Sequence, residues 1–230
     1  DDRTLYRYQD VNEKIARYRN SKFIIGARTL KGFQLGDDKR SRSSMKMFGQ
    51  ITGRTNLSTA TNPFGAPRRM RNIIGTDDGC LVYLDWKSQE AAIQAFLSAD
   101  TQMINAVKSG DPYLHTAKLV KAIPQDAVRS DHEKVRETYK TSFLAIAYDQ
   151  TAFGLKAKLR NTYSQATHIL GRVKNAYKLY FVWNNALKAR AMAQGFYETK
   201  YGWKYHITSE EITNPRRLTN WPIQSHGSEI

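Results

Sequence analysis

Residues 136–148, RETYKTSFLAIAY, set Arg136, Lys140 and Tyr148 at steps of four and eight within a run of helical apolar periodicity. Side chains four apart drift only slowly around a helix, so the three share one broad face. A guanidinium, an ammonium and a phenol on one wall suit a triphosphate lying below a flat ring. Arg grips phosphate oxygens as a fork and Lys meets them as a point charge. Tyr adds an aromatic face with a hydroxyl at its tip. Taken alone, the pattern also describes a basic amphipathic helix with a solvated cationic face, so other parts of the chain must decide between the two.

Upstream, Leu81-Val82-Tyr83-Leu84 is an apolar, β-favouring run that predicts a strand with Asp85 at its end. It continues as Trp86-Lys87-Ser88-Gln89-Glu90 and an Ala-rich helical pattern. A carboxylate at a strand end is a common hard-cation ligand in phosphoryl transfer. An Asp there also suits the cap of the helix that follows. Capping accounts for Asp85 but not for Glu90, which the pattern puts well inside the helix.

Composition points to a polyanionic partner. The 230 residues carry a net charge of +15, and the basic residues recur in clusters: 39–42, 68–71 (Arg68-Arg69-Met70-Arg71), 156–160 and 216–217. Aromatics interleave with them, as base stacking would need, although most of these rings are expected in the core. Cys80 is the only cysteine, so no internal disulfide forms and a reducing cytoplasm is the natural setting. Spaced Cys/His pairs for zinc, an apolar run of membrane-spanning length and a signal peptide are all missing from these residues.

Along the chain, residues 10–20 predict a charged helix, and residues 34–63 predict loop or weak strand with disorder near 36–44. From 87 to about 194 the pattern is helical, broken at Ser109–Pro112, around Pro124, and near Gly154 and Gly171. Residues 174–194 form the longest helical stretch, with Tyr177, Tyr180, Phe181 and Trp183 expected mostly in the core. Gly195 ends it, and residues 196–207 predict a hairpin around Tyr201-Gly202. The resulting fold class is α+β, a mixed sheet carrying a large helical insertion.

Together these segments resemble the polymerase region of family A DNA polymerases, the DNA polymerase I group. Residues 81–92, LVYLDWKSQEAA, look like motif A. Residues 136–148 look like motif B, the fingers helix. Thr52-Gly53-Arg54, followed by Asn56, Leu57 and Ser58, resembles the TGR segment that meets the primer-template. Residues 111–115, DPYLH, resemble the fingers segment that ends in a nucleotide-contacting His. Ala152-Phe153-Gly154-Leu155 looks like the stretch after motif B, and Arg216, Asn220, Pro222 and Gln224 match a duplex-contacting palm segment. The DWxxQE form and the GDPYL segment are most similar to the phage-type branch.

The resemblance implies right-hand architecture: palm with a thumb-proximal segment over residues 1–92, helical fingers over 93–195 and a return into the palm over 196–230. It implies template-directed DNA synthesis, in which a primer 3′-hydroxyl attacks the α-phosphate of a dNTP and pyrophosphate leaves. Two Mg²⁺ ions about 4 Å apart (Mn²⁺ is the other candidate) would stabilise the entering and leaving oxygens. Asp85 would bridge them, helped by the Trp86 carbonyl. Lys140 would neutralise the triphosphate and protonate the leaving group. Arg136 would hold the γ-phosphate and His115 the β-phosphate. Gln89 and Leu144 would line the nucleotide site, and Tyr148 would stack near the templating position and bond to Glu90, the sugar gate. Arg54, Asn56, Arg216, Asn220 and Gln224 would contact the duplex.

Three departures stand out. The aromatic usual four residues after Lys140 is Leu144, and the Gly usual after the motif B tyrosine is Asp149. No motif C turn carrying the second metal-binding Asp occurs within the 230 residues. The expectation is therefore a polymerase fragment or split subunit, inactive alone, whose missing C-terminal segment or partner chain brings motif C. Three other functions compete with this one. A single-subunit RNA polymerase shares motif B, but Glu90 would crowd a 2′-hydroxyl. A noncatalytic DNA-binding subunit would keep only the fold. A basic structural protein would bind DNA without affinity for dNTP and Mg²⁺.

Overall fold

Helices dominate from Gln89 onward because the sequence supplies their boundaries locally. The computed structural model describes residue 5, residue 8, residues 12–27, 35–57 and 73–230. Ser58 and the basic run 68–71 lie outside them. The chain divides into two compact units, Asp1–Gly49 with Thr55–Leu84, and Gln50–Arg54 with Asp85–Ile230.

In the first unit, α1 (Glu13–Ala27) matches the charged helix expected near residues 10–20. A short ribbon pairs β1 (Met45–Lys46) antiparallel with β2 (Asn56–Leu57), in the register Met45 to Leu57 and Lys46 to Asn56. The expected disorder at 36–44 is instead a closed turn. Gly36 N–H donates to the Arg40 carbonyl, and Asp38 takes a two-pronged contact from Arg42 at 2.9 and 2.6 Å. The expected strand at 81–84 is not formed. These residues belong to no ladder among the described residues, and Leu81, Val82, Tyr83 and Leu84 are 60–88 % exposed. A β-prone run becomes a strand only when a neighbour accepts its hydrogen bonds.

The second unit holds α2 (Gln89–Ser98), α3 (Thr101–Lys108), α4 (Pro112–Leu119), α5 (Glu133–Ala147), α6 (Ala152–Leu159), α7 (Tyr163–Ala176) and α8 (Lys178–Gln194). An antiparallel ribbon of β3 (Phe196–Glu198) and β4 (Lys204–His206) follows, then the short α9 (Ser209–Thr213) and α10 (Arg217–Glu229). Capping accounts for most of the starts. Asp100 receives the N–H groups of Gln102 and Met103, Asp111 that of Leu114 with Pro112 beside it, and Thr151 that of Gly154. Thr162 and Gln165 form a capping box on α7. Gly195 ends α8 at φ 81°, as the sequence predicts.

Two boundaries differ from expectation. Gly171 does not break α7; a mid-helix glycine costs about 1 kcal/mol, and here buried Leu170 and Val173 flank it. The breaks fall instead at Arg160, in the left-handed region at φ 54°, and at Tyr177, so the longest helix begins at Lys178. Gly154 likewise lies inside α6, and the chain turns just before it, at 148–151.

One core joins α2–α8 around Tyr113, Phe143, Leu155, Leu170, Tyr177 and Tyr180. Phe143 stands edge-on to Tyr113 and Tyr177 at 5.8 and 5.6 Å. Asp100 also pins α3 to α8 by accepting the Tyr180 N–H at 3.1 Å. Burial pushes the Tyr177 phenol up to about 12, so it stays protonated while sharing a 2.6 Å hydrogen bond with Thr116. A smaller cluster packs the ribbon on α10, with Trp221 stacked on Tyr197 and Tyr205 at 5.3 and 5.4 Å. Among the described residues the molecule is thus a helix-rich α+β fold with two small antiparallel sheets.

Candidate active site

The loop Gln50–Arg54 enters the second unit because α10 holds its carbonyls. Trp221 Nε1 donates to the Ile51 carbonyl at 2.8 Å, and Ser228 Oγ donates to that of Thr52 at 2.7 Å. Gly53 makes the turn at φ 76°, and a Cβ there would fall 2.5 Å from the Trp203 ring, so only glycine fits. Arg54 is thereby presented at the wall of an open cleft of about 460 Å³.

Asp85, Trp86, Ser88, Gln89 and Glu90 form one side of that cleft; Tyr113, Leu144 and Gly227 complete it. Asp85 and Trp86 are exposed. Asp85 does not cap α2; Ser88 occupies that position, at φ 53° and with no side-chain cap. Glu90 falls in the first turn of α2 rather than well inside it, because the helix starts at Gln89. Gln89 Nε2 donates to the Gly227 carbonyl at 3.0 Å and ties α2 to α10.

Glu90 is the hub of the cleft's polar contacts. Tyr148 Oη donates to its Oε1 at 3.3 Å, and Arg54 approaches the same oxygen at 4.0 Å. Gln224 Nε2 donates to Tyr148 Oη at 2.5 Å. Burial, then the Glu90 charge, push the Tyr148 phenol above its ordinary value and keep it a donor at neutral pH. Tyr148 closes α5 in a Schellman arrangement: Asp149 N–H bonds to the Ile146 carbonyl and Gln150 N–H to that of Ala145. Asp149 takes the left-handed position at φ 49°, where glycine is favoured.

The cationic face of α5 is already partnered. Arg136 donates through Nε to Asp111 Oδ2 and through Nη1 to Glu137 Oε1, both at 2.6 Å, and lies over the Tyr113 ring at 5.4 Å. Lys140 Nζ lies 3.6 Å from Glu137, with its side chain 42 % exposed. Leu144, one turn on, reaches the cleft.

Other residues named from the sequence fall elsewhere. His115 is half-buried and outside the cleft lining; burial, then Lys118, lower its pKa. Asn56 sits on β2 of the first unit. Arg216 is exposed at the start of α10, whereas Asn220 is buried. Tyr113 lines the cleft and was not predicted to do so; its only sequence signal was its place in the first turn of α4, beside the capping Asp111.

The donors present do not by themselves fit a pair of divalent ions. Asp85 is one exposed carboxylate, Glu90 faces Arg54 and Tyr148, and no group of three His, Cys, Asp or Glu side chains suited to a metal ion gathers among the described residues. No helix among them is long and apolar enough to cross a membrane.

Comparison with known proteins gives the family and the fold. The family model "DNA polymerase family A" matches residues 3–230. The thermostable DNA polymerase I of Thermus aquaticus is 23% identical over 171 residues, 71% of this chain and 20% of that protein. The DNA polymerase I of Mycobacterium tuberculosis (strain H37Rv) is 24% identical over 201 residues, 80% of this chain and 22% of that protein. The chain thus spans about a fifth of the length of these curated relatives. Among solved structures, the POL domain of Pol1 from M. smegmatis, in complex with DNA primer-template and dNTP, superposes with a TM-score of 0.75 at 20% identity. That match covers 94% of this chain and 40% of that one.

Proposed function

Because this chain belongs to DNA polymerase family A, we propose that it supplies the nucleotide-binding part of a DNA-directed DNA polymerase, with primer-template DNA and dNTP as ligands. The observation that carries this is the cleft in which Asp85, Arg54, the Glu90–Tyr148 pair and Leu144 converge. In this reading residues 93–195 are the fingers and the flanking segments belong to the palm. The DWKSQE and GDPYL segments favour the phage-type branch.

Each side chain then has a task. Arg136 and Lys140 neutralise the triphosphate, and Lys140 gives a proton to the departing pyrophosphate. Glu90, held by Tyr148, lies against C2′ of the incoming sugar and crowds a ribose hydroxyl. His115 lies outside the cleft lining and is given no phosphate contact in this reading. Arg54, Gln224 and the exposed Arg216 face the duplex, whereas Asn220 is buried and does not meet it directly. Minor-groove acceptors occur in every base pair, so such donors sense geometry rather than sequence.

Asp85 is the carboxylate this chain brings to a magnesium site, and further acidic ligands must come from outside the described residues. Primer extension by the intact polymerase is therefore expected to depend on Asp85.

The sugar gate gives the sharpest test. In the intact polymerase, Glu90→Ala should raise kcat/KM for ribonucleotides relative to deoxyribonucleotides. An unchanged ratio would remove Glu90 from the nucleotide site and leave it a helix-start carboxylate.

A further inference from the structure

Arg136 is held by a residue to which the phosphate-binding reading gives no role. Its Nε donates to Asp111 Oδ2 at 2.6 Å, its guanidinium lies over the Tyr113 ring, and its side chain is only 11 % exposed. Asp111 is anchored in turn, because its other oxygen accepts the Leu114 N–H at 3.1 Å as the cap of α4. Burial raises the Asp111 carboxyl, but the hydrogen bonds from Arg136 and Leu114 outweigh it and hold the group below the usual carboxylate range. Asp111 therefore stays an anion at neutral pH.

Glu137 meets the same guanidinium differently. It bonds the terminal Nη1 at 2.6 Å, its side chain is 48 % exposed, and its other oxygen lies 3.6 Å from Lys140 Nζ. One half-solvated carboxylate thus sits between the two cations that a triphosphate would bridge. An arriving polyanion displaces an exposed partner at a terminal nitrogen more readily than a capped one at Nε. With Nε tied, the plane of the fork is set and its terminal edge is the part that exchanges partners.

We propose that Asp111 is a positioning residue for nucleotide binding: by tying Nε it sets the plane of the Arg136 guanidinium, so that the terminal edge meets the triphosphate as Glu137 yields. The inference rests on the phosphate role proposed for Arg136.

Two substitutions in the intact polymerase separate capping from positioning. Asn and Ser both cap helices as well as Asp. In Asp111→Asn the single carbonyl oxygen serves Leu114 and the amide N–H groups face Arg136 Nε–H, donor against donor. Asp111→Ser is too short to reach Arg136. Both variants keep the helix cap but lose the largely buried ion pair, so both should melt somewhat below the parent, and KM is compared at a temperature where all remain folded. Each should raise the KM for dNTP on the order of tenfold, with kcat falling far less, as expected when a binding group is misplaced. Arg136→Ala should also raise KM, and adding Asp111→Asn to it should change KM by less than about twofold, the sign of a shared pathway. Parental KM in both Asp111 variants, beside a raised KM in Arg136→Ala, overturns the positioning role alone. So does a fully multiplicative double variant. If Arg136→Ala leaves KM unchanged, the phosphate role falls and the positioning role falls with it.

Discussion

The stretch 81–86 and helix α5 carry residues proposed for the same chemistry, yet they are built in opposite ways. In α5 every interior backbone group finds its partner four residues away, and Tyr139, Phe143 and Ile146 sink into a closed core. Residues 81–84 have the composition of a buried strand, yet they stand exposed and unpaired among the described residues, with Asp85 at their end. A helix is a property of one segment, whereas a strand is a relation between two. The charge-bearing groups of α5 are therefore already held in place. Asp85 is presented on a segment whose geometry depends on what pairs with it.

The contrast is broken or sharpened most strongly at Asp85 itself. Asp85→Asn should lower primer extension by the intact polymerase about 10³-fold or more, the scale of losing a metal-ligating charge. The melting temperature of the 230-residue chain should stay unchanged, because the side chain is exposed. A large fall in melting temperature would show that Asp85 supports the fold instead.

Next comes stability. Phe143→Ala removes a ring that is 2 % exposed and packed edge-on against two others, and should destabilise by about 3–5 kcal/mol in urea unfolding. Leu84→Ala, at 88 % exposure, should change the same chain by less than about 0.5 kcal/mol. Equal losses at the two sites would mean that the 81–84 run is packed in solution.

Lys140→Ala tests whether α5 carries chemistry as well as structure. Its loss should lower kcat about 10²-fold as a general acid and charge partner. Stability should hardly move, since its contact with Glu137 is a half-exposed surface pair. Near-parental kcat would take the leaving-group role away from this helix.

The smallest effect lies at the helix end. Asp149 occupies a left-handed position, so Asp149→Gly should stabilise the chain by about 1 kcal/mol. Thermal unfolding would read this directly, and a destabilised variant would show that the carboxylate makes a contact that outweighs its backbone strain.

How much of this was legible depends on the range of each interaction. The helix break at Asp111-Pro112, the end of α8 at Gly195 and the hairpin at Tyr201-Gly202 are short-range, and the residues themselves announce them; the caps at Thr151 and Thr162 are equally local but were not read from the sequence. The pairing of Tyr148 with Glu90 was also anticipated, through the motif resemblance rather than through spacing. Gly171 was misread because a local weakness in helix propensity is overridden by the buried residues beside it. The turn at 36–44 was missed because its stabilising contact, Asp38 with Arg42, looks in sequence like two more charges in a solvated run.

Spacing and residue type by themselves determined that a basic, α+β chain would carry a helix with Arg136, Lys140 and Tyr148 on one face and a carboxylate, Asp85, shortly before another helix. Those features arise from neighbours along the chain, so the order of residues specifies them. Only the tertiary structure decided which side chains share the cleft. It brought Tyr113 to the cleft lining and left His115 out. It used Trp221 and Ser228 to hold the Arg54 loop, and it gave Arg136 a carboxylate partner 25 residues away. Such contacts come from packing between helices distant in sequence, where shape and burial choose the partner. No periodicity in the chain records that choice.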